Sequence, residues 1–272
     1  MPRRQKPGAI RVGIGGWNYE PWRGVFYPPG LARKRELAFA SRCLTSIEIN
    51  STYYGRQKRE SFRRWREETP DGFVFALKAI RFATNRRRLA EAAPSIERFL
   101  ESGVAELKDK LGPINWQFHP TKRFEPEDFE AFLQLLPGEV EGVALRHAVE
   151  VRHESFRVPE FVALVRRHGI AVVVADSDKH PQIADLTSRF VYARLQQSAE
   201  GEAMGYPSAE IDRWAARAQE WAAGREPRYL APVAGAAKGA TRPREVFIYM
   251  IDGFKPKAPA AARALIERLE RK

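Results

Sequence analysis

Cysteine is almost missing from this chain. Cys43 is the only one, so no intrachain disulfide can form and no Cys-x-x-Cys zinc site exists. Long apolar runs are missing as well. None approaches the ~20 residues a membrane-spanning helix needs, so no membrane association is expected. Residues Met1 to Gly8 are basic and contain proline, without the apolar stretch of a secretory signal. They read as a disordered basic tail on a cytoplasmic protein. No Gly-x-Gly-x-x-Gly follows a strand, and there is no Walker loop and no Gly-x-Ser-x-Gly elbow. Nicotinamide cofactors, nucleotide hydrolysis and serine-esterase chemistry therefore all start low.

Negative charge is the scarcer sign. Lys and Arg number 46 against 34 Asp and Glu, a formal net charge of +12. Such a field attracts anions, nucleic acid and phosphorylated small molecules among them. The excess is spread over expected helices, as at Arg63, Arg64, Arg166 and Arg167, and solvated helix faces produce the same total. With 44% hydrophobic and 11% aromatic residues, the chain has enough apolar surface to fold. Cys43 falls in a helical stretch and reads as a small buried hydrophobe rather than a reactive thiol.

Eight short runs rich in Val, Ile, Phe or Tyr have the length and composition of strands: Ile10–Gly16, Ser46–Asn50, Phe73–Lys78, Ile114–Phe118, Ala148–Arg152, Ile170–Asp176, Phe190–Leu195 and Val246–Ile251. Helices are predicted over Leu31–Cys43, Lys58–Glu68, Ala90–Lys110 (divided at Pro94 and Gly103), Pro126–Leu135, Pro159–His168, Ser208–Ala223 with Ser208 as N-cap, and Pro259–Arg271. The segment from Ser177 to Arg189 carries a weaker helical pattern. Strand and helix alternate as in an all-parallel sheet, and eight repeats favour closure into an α/β (β/α)8 TIM barrel. An open doubly wound sheet is the alternative. One domain is expected over residues 9–272, with a flexible Ala-, Gly- and Pro-rich insertion at about 224–244.

Strand side chains alternate between two faces. One parity of each run turns polar at its C-terminal end: Glu48 with Asn50, Asn115 with Gln117, Glu150 with Arg152, and Lys78, Asp176 and Arg194 alone. Val172 and Val174 share the parity of Asp176, and Tyr192 that of Arg194. Catalytic groups of barrel enzymes occupy that rim. A charged cluster there costs desolvation and is a weak way to stabilise a fold, so it reads as a site. Trp17, Tyr19 and Trp22 in the first loop, and Tyr53 and Tyr54 after the second strand, either stack on a flat ligand or plug the loop against the barrel. His153, next to Arg152, is the leading histidine for proton transfer. Glu48, Glu150, His153 and Asp176 have donors suited to a divalent metal, although no His-x-x-x-His pair exists. Rim carboxylates and Arg152 are expected to keep Lys78 charged, as an anion partner rather than a Schiff-base lysine.

Several segments together resemble the YecE-like family (domain of unknown function 72). They are Gly13-Ile14-Gly15-Gly16-Trp17-Asn18-Tyr19 with Trp22, Gly24 and Phe26-Tyr27-Pro28; Glu48-Ile49-Asn50-Ser51-Thr52-Tyr53-Tyr54; Phe73-Val74-Phe75-Ala76-Leu77-Lys78; Leu111-Gly112-Pro113 with Gln117-Phe118; Glu150-Val151-Arg152-His153-Glu154-Ser155-Phe156; and Asp176 with Tyr192-Ala193-Arg194. The resemblance runs nearly the whole chain in order. It implies a (β/α)8 barrel with this rim cluster and supplies no reaction. The barrel is also similar to metal-dependent endonuclease and sugar-isomerase barrels at the level of fold alone. Two departures stand out. Thr84-Asn85-Arg86 replaces a Thr-His, which weakens a metal proposal. Tyr249-Met250-Ile251-Asp252-Gly253-Phe254-Lys255-Pro256-Lys257 stands where a Phe-Asn-Asn-like segment is common, and its two lysines favour an anionic ligand.

The leading expectation is an enzyme acting on a phosphate-bearing or otherwise anionic small molecule or nucleotide. Glu48 and Glu150 are its acid/base candidates, assisted by His153, with Asp176 orienting a neighbour. Lys78, Arg152 and Arg194 hold the anion. Asn50, Tyr53 and Gln117 contact the ligand, and Trp17 and Tyr19 cover it. A nucleic-acid-binding or endonuclease-like barrel and a non-catalytic metabolite-binding barrel are the competing readings. The cofactor is left open, a divalent metal included.

Overall fold

The computed structural model describes residues 6–227, 229–235 and 242–271. Residues 1–5 of the expected tail, and 228 and 236–241 of the expected insertion, lie outside the described residues. Eight parallel strands close into a barrel: β1 (Ile10–Gly15), β2 (Ser46–Ile49), β3 (Val74–Lys78), β4 (Leu111–Gln117), β5 (His147–Glu150), β6 (Ala171–Asp176), β7 (Phe190–Leu195) and β8 (Glu245–Met250). Each pairs with its neighbours in sequence, and β1 closes the ring against β8, Ile10 opposite Val246. The barrel type is the one expected, and no strand end differs from expectation by more than three residues.

Seven longer helices return the chain: α1 (Glu36–Cys43), α2 (Arg59–Glu68), α3 (Ala93–Leu100), α4 (Pro126–Gln134), α5 (Pro159–Arg167), α6 (Ser208–Ala222) and α7 (Ala258–Glu270). Pro94, Pro126, Pro159 and Pro259 occupy first-turn positions of α3, α4, α5 and α7, where the missing N–H costs nothing. Three expectations are corrected. The helix predicted from Leu31 begins as a 3-10 turn at Arg33. The long stretch Ala90–Lys110 is a 3-10 turn, α3 and a second 3-10 segment, broken where Gly103 takes φ +110. Ser208 is the first helical residue rather than the cap, and its Oγ accepts from Arg268. A short hairpin, Glu139–Val140 with Val143–Ala144, was not expected. Residues 177–189 contain no helix.

Two apolar layers result from strand alternation. Val12, Ile14, Ile47, Phe75, Leu77, Ile114 and Trp116 pack outward against the helices. Trp116 is fully buried between Phe99 and Phe132, and its truncation to Ala should cost about 3–5 kcal/mol. The inner layer holds Val74, Ala76, Ala148, Ala171, Val173, Phe190, Tyr192, Phe247 and Tyr249. Gly13 also faces inward. A Cβ there would lie 1.9 Å from the Ser46 carbonyl oxygen, so β1 and β2 approach this closely only with glycine. At the lower mouth Glu245 bridges Arg11 (2.8 Å) and Arg146. Among the described residues no helix is long and apolar enough to cross a membrane.

Candidate functional site

The inward positions turn polar at the upper ends of the strands. Glu48 of β2, Lys78 of β3, Asn115 and Gln117 of β4, Glu150 of β5 and Arg194 of β7 are all buried. Arg194 is the hub. Its guanidinium donates to Glu48 Oε1 (3.0 Å), to Glu150 Oε2 and to Gln117 Oε1 (3.2 Å). Arg152, just past β5, donates to Glu150 Oε1 through Nε (2.8 Å) and Nη2 (2.7 Å), and to Gln117 Oε1 (2.8 Å). Asn115 donates to Glu150 Oε2 (3.1 Å). From below, the Tyr192 hydroxyl donates to Glu48 Oε2 at 2.5 Å. One level lower, Tyr249 and Ser46 share a hydroxyl hydrogen bond of 2.7 Å.

Burial alone would raise the Glu150 pKa, but Arg194, Arg152 and Lys78 overcome it and hold the carboxyl at about 2. Burial likewise disfavours the Arg194 charge, and Glu150 and Glu48 more than restore it. Lys78 behaves differently. Burial and then Arg194 push its pKa down to about 8, against the pull of Glu48 and Glu150. Its Nζ makes no hydrogen bond or ion pair among the described residues and lies 4.0 Å from the centroid of the Tyr53 ring. The two carboxylates favour the charged form as expected, whereas Arg152, expected to help, opposes it.

A cleft of about 710 Å³ opens above this layer. Lys78, Gln117, Arg152 and Arg194 line its floor, and Asn50, Tyr53, Trp17 and Lys255 its walls. The buried Arg194 Nε has no partner, nor has Asn115 Oδ1. Both atoms are themselves buried beneath the cleft, an unusual cost for a packed polar layer.

Most of the residues expected at the rim meet there, but five expectations change. Asp176 points away from the interior. Val173 belongs to the inner layer, whereas Val172 and Val174 belong to the outer one, and Asp176 shares their parity. It accepts from Gln197 (2.9 Å), and burial together with Glu210 raises its pKa to about 6. His153 turns its Nδ1 to accept from the Ser155 N–H (3.1 Å) and caps a 3-10 turn, outside the cleft lining. His119 lines the cleft instead. Its Nδ1 accepts from the Thr121 N–H, which leaves the ring proton of the neutral form on Nε2. Tyr19 does not line the cleft; its ring carries the Lys255 ammonium, 4.3 Å from the centroid. Glu48 and Glu150, the two acid/base candidates, lie beneath the floor rather than on it.

The four proposed metal donors are consequently not brought together. Among the described residues no group of three or more His, Cys, Asp and Glu is placed to hold a metal ion. Of the aromatic loop, Trp17 reaches the cleft, while Trp22 packs as a plug, with its Nε1 donating to the Lys255 carbonyl (3.0 Å). Of the two lysines after β8, Lys255 lines the cleft and Lys257 does not. His180 carried no sequence signal. It stands near enough to Arg152 and Glu150 to feel both charges, and its Nδ1 is buried without a partner.

Comparison with known proteins agrees with this architecture. A family model described as "Protein of unknown function DUF72" matches residues 11–272. The UPF0759 protein YecE of Escherichia coli K12 is 30% identical over 150 residues, 54% of this chain and 50% of that protein. The UPF0759 protein YunF of Bacillus subtilis is 26% identical over 157 residues, 56% of this chain and 54% of that protein. The chain thus spans about half the length of the curated relatives it matches. A crystal structure of a DUF72 family protein of Thermotoga maritima superimposes with a TM-score of 0.72 at 22% identity, covering 97% of this chain and all of that one. At that identity the likeness is one of fold.

Proposed function

The chain belongs to the DUF72 family of proteins of unknown function, and from that premise we propose an enzyme that binds an anionic, phosphate-bearing small molecule or nucleotide in the rim cleft and acts on it by acid–base chemistry. One observation carries the reading. Lys78 and Arg194 are buried cations that line the same cleft, and among the described residues Lys78 Nζ has no acceptor. An anion is the acceptor it lacks, and charge-assisted hydrogen bonds in a buried site are strong. In the layer beneath, two carboxylates face three cations, Lys78, Arg152 and Arg194, so the floor has positive charge to spare. Trp17 supplies an apolar wall.

The proton carrier differs from the first expectation. A carboxyl held at about 2, as Glu150 is, stays ionised and saturated with donors. Lys78, at about 8, is nearer to working pH, where acid–base groups are most effective. The test is a thermal-shift titration with inorganic phosphate, nucleoside monophosphates and sugar phosphates. The wild type should be stabilised, and Arg152→Ala and Lys78→Met should each weaken the apparent affinity at least about tenfold, as loss of one charge-assisted contact requires. No shift with any anion would sink the reading. A shift with the ligand recovered unchanged would leave a non-catalytic metabolite-binding barrel.

A second reading has its own support. Tyr54 and Phe82 are 65% and 57% exposed. Beside them lies a further cleft lined by Arg86, Arg87, Lys122 and Arg123, which shares His119 with the rim cleft. Exposed rings and a cationic groove are what a single-stranded nucleic acid uses. Binding of a short oligonucleotide that weakens steeply with salt would support it; none at low salt would end it.

A further inference from the structure

Lys78 is the inward residue at the end of β3, with its stem among the barrel side chains and 8% of its surface exposed. An ammonium in that place normally finds a carboxylate. Here Glu48 and Glu150 are already taken by Arg194 and Arg152, and among the described residues no carboxylate oxygen lies within 4.0 Å of Nζ. The Tyr53 ring covers one side of the amine, and the remainder meets the cleft. Burial beside a second cation is what makes a lysine amine nucleophilic, because both disfavour its protonated form. Arg152 and Arg194 line the same cleft, where their charge would orient an incoming anionic molecule.

We propose that Lys78 is a Schiff-base nucleophile for an aldehyde or ketone that carries an anionic group. The proposal rests on the anion-binding reading of the cleft and narrows its substrate to a carbonyl compound. The neutral Nζ adds its lone pair to the carbonyl carbon, and the C=O π pair becomes an alkoxide. That oxygen takes up a proton as Nζ gives one up, which forms a carbinolamine. A second proton reaches the hydroxyl, the C–O bond breaks, water leaves, and the nitrogen lone pair closes the C=Nζ bond. Nothing is oxidised or reduced, and one water is released per imine formed. The second proton comes from solvent water in the open cleft, whose wall His119 helps to form. Glu150 is already paired with Arg152 and Arg194, so the anionic group of the substrate itself balances the iminium charge.

The experiment is borohydride trapping on the wild-type protein, with glyoxylate as the anionic aldehyde, followed by peptide mapping. The exposed Lys34 and Lys108 serve as internal references in the same digest. At pH 7.5 Lys78 should be labelled about tenfold faster than either, since far more of its amine is neutral there than of an ordinary lysine. Its labelling should reach half its maximum near pH 8, and excess inorganic phosphate should suppress it. Lys78 left unmodified, or modified no faster than Lys34 and Lys108, overturns the proposal. The map needs no variant, so a poorly folding Lys78→Met cannot obscure the result. Phosphate stabilisation without a Lys78 adduct removes the Schiff base and keeps the anion site. An adduct that phosphate does not suppress, in a protein phosphate does not stabilise, removes the anion site.

Discussion

The barrel carries an Arg–Glu–Arg arrangement at each mouth, and the two are built to opposite ends. At the lower mouth Glu245 lies between Arg11 and Arg146, with side-chain exposures of 26%, 21% and 32%. Its arginines are spent: Arg11 also donates to the Gly72 carbonyl and Arg146 to that of Leu111. At the upper mouth Glu150 lies between Arg152 and Arg194, with exposures of 1%, 19% and 2%. A cleft of similar size, about 700 Å³, opens at the lower mouth around Glu245, so concavity does not distinguish the ends. Wet, satisfied charges close a barrel at little cost. Dry charges beside an unpaired lysine make a poor closure and a good receptor, which is the physical ground for proposing function at the upper end.

The contrast is sharpest in the paired substitutions Glu150→Gln and Glu245→Gln. Removing one partner of the buried set should cost about 3–5 kcal/mol, because Arg194 keeps its charge. The solvated set should lose less than about 1 kcal/mol. Urea midpoints decide, and equal losses would erase the distinction. The acid limb follows with a definite sign. The folded Glu150 pKa is depressed to about 2, so its contribution is complete above the unfolded value of about 4.3 and fades as pH falls through that window. Glu150→Gln should flatten this limb, and Glu245→Gln should keep the wild-type slope.

Next in size is Lys78→Met, with the sign reversed. Folding lowers this lysine's pKa from 10.5 to about 8, so between those values the unfolded chain binds more protons and wild-type stability rises with pH. Without ligand the variant should be more stable at pH 7 by about 1–3 kcal/mol, with no such rise. A variant less stable than wild type at pH 7 would mean that Lys78 is a structural cation like Arg146. The smallest effect belongs to Arg11→Ala, expected to cost under about 1 kcal/mol and to shrink in high salt, as screened surface pairs do.

How much of this was legible in the sequence depended on the strand. Where one face is polar, as in β2, β5 and β7, alternation located Glu48, Glu150 and Arg194 on the inside. In β6 the run Ala171-Val172-Val173-Val174-Ala175 is apolar on both faces, as parallel strands buried on both sides are, so its parity carries no signal and Asp176 was assigned to the wrong face. The barrel and its closure were legible because length, spacing and period agree. The hydrogen bonds of Arg194 to Glu48 and Glu150 were not, since they join strands far apart in sequence. The choice between His153 and His119 turned on local turns at Ser155 and Thr121, which direct the rings and leave no periodic mark.

The hydrogen bond between Glu48 and Tyr192 spans 144 residues, and that between Glu48 and Arg194 spans 146. A chain emerging from the ribosome therefore presents its second strand, carboxylate included, long before the guanidinium that neutralises it has been made. Until β7 arrives Glu48 has no reason to leave water, and the upper half of the barrel has no reason to dry. β1 in turn waits for β8, with Ile10 opposite Val246. Assembly of the cleft is thus a late event in the life of the molecule, and a ligand that occupies it reports on a chain whose synthesis has passed Arg194.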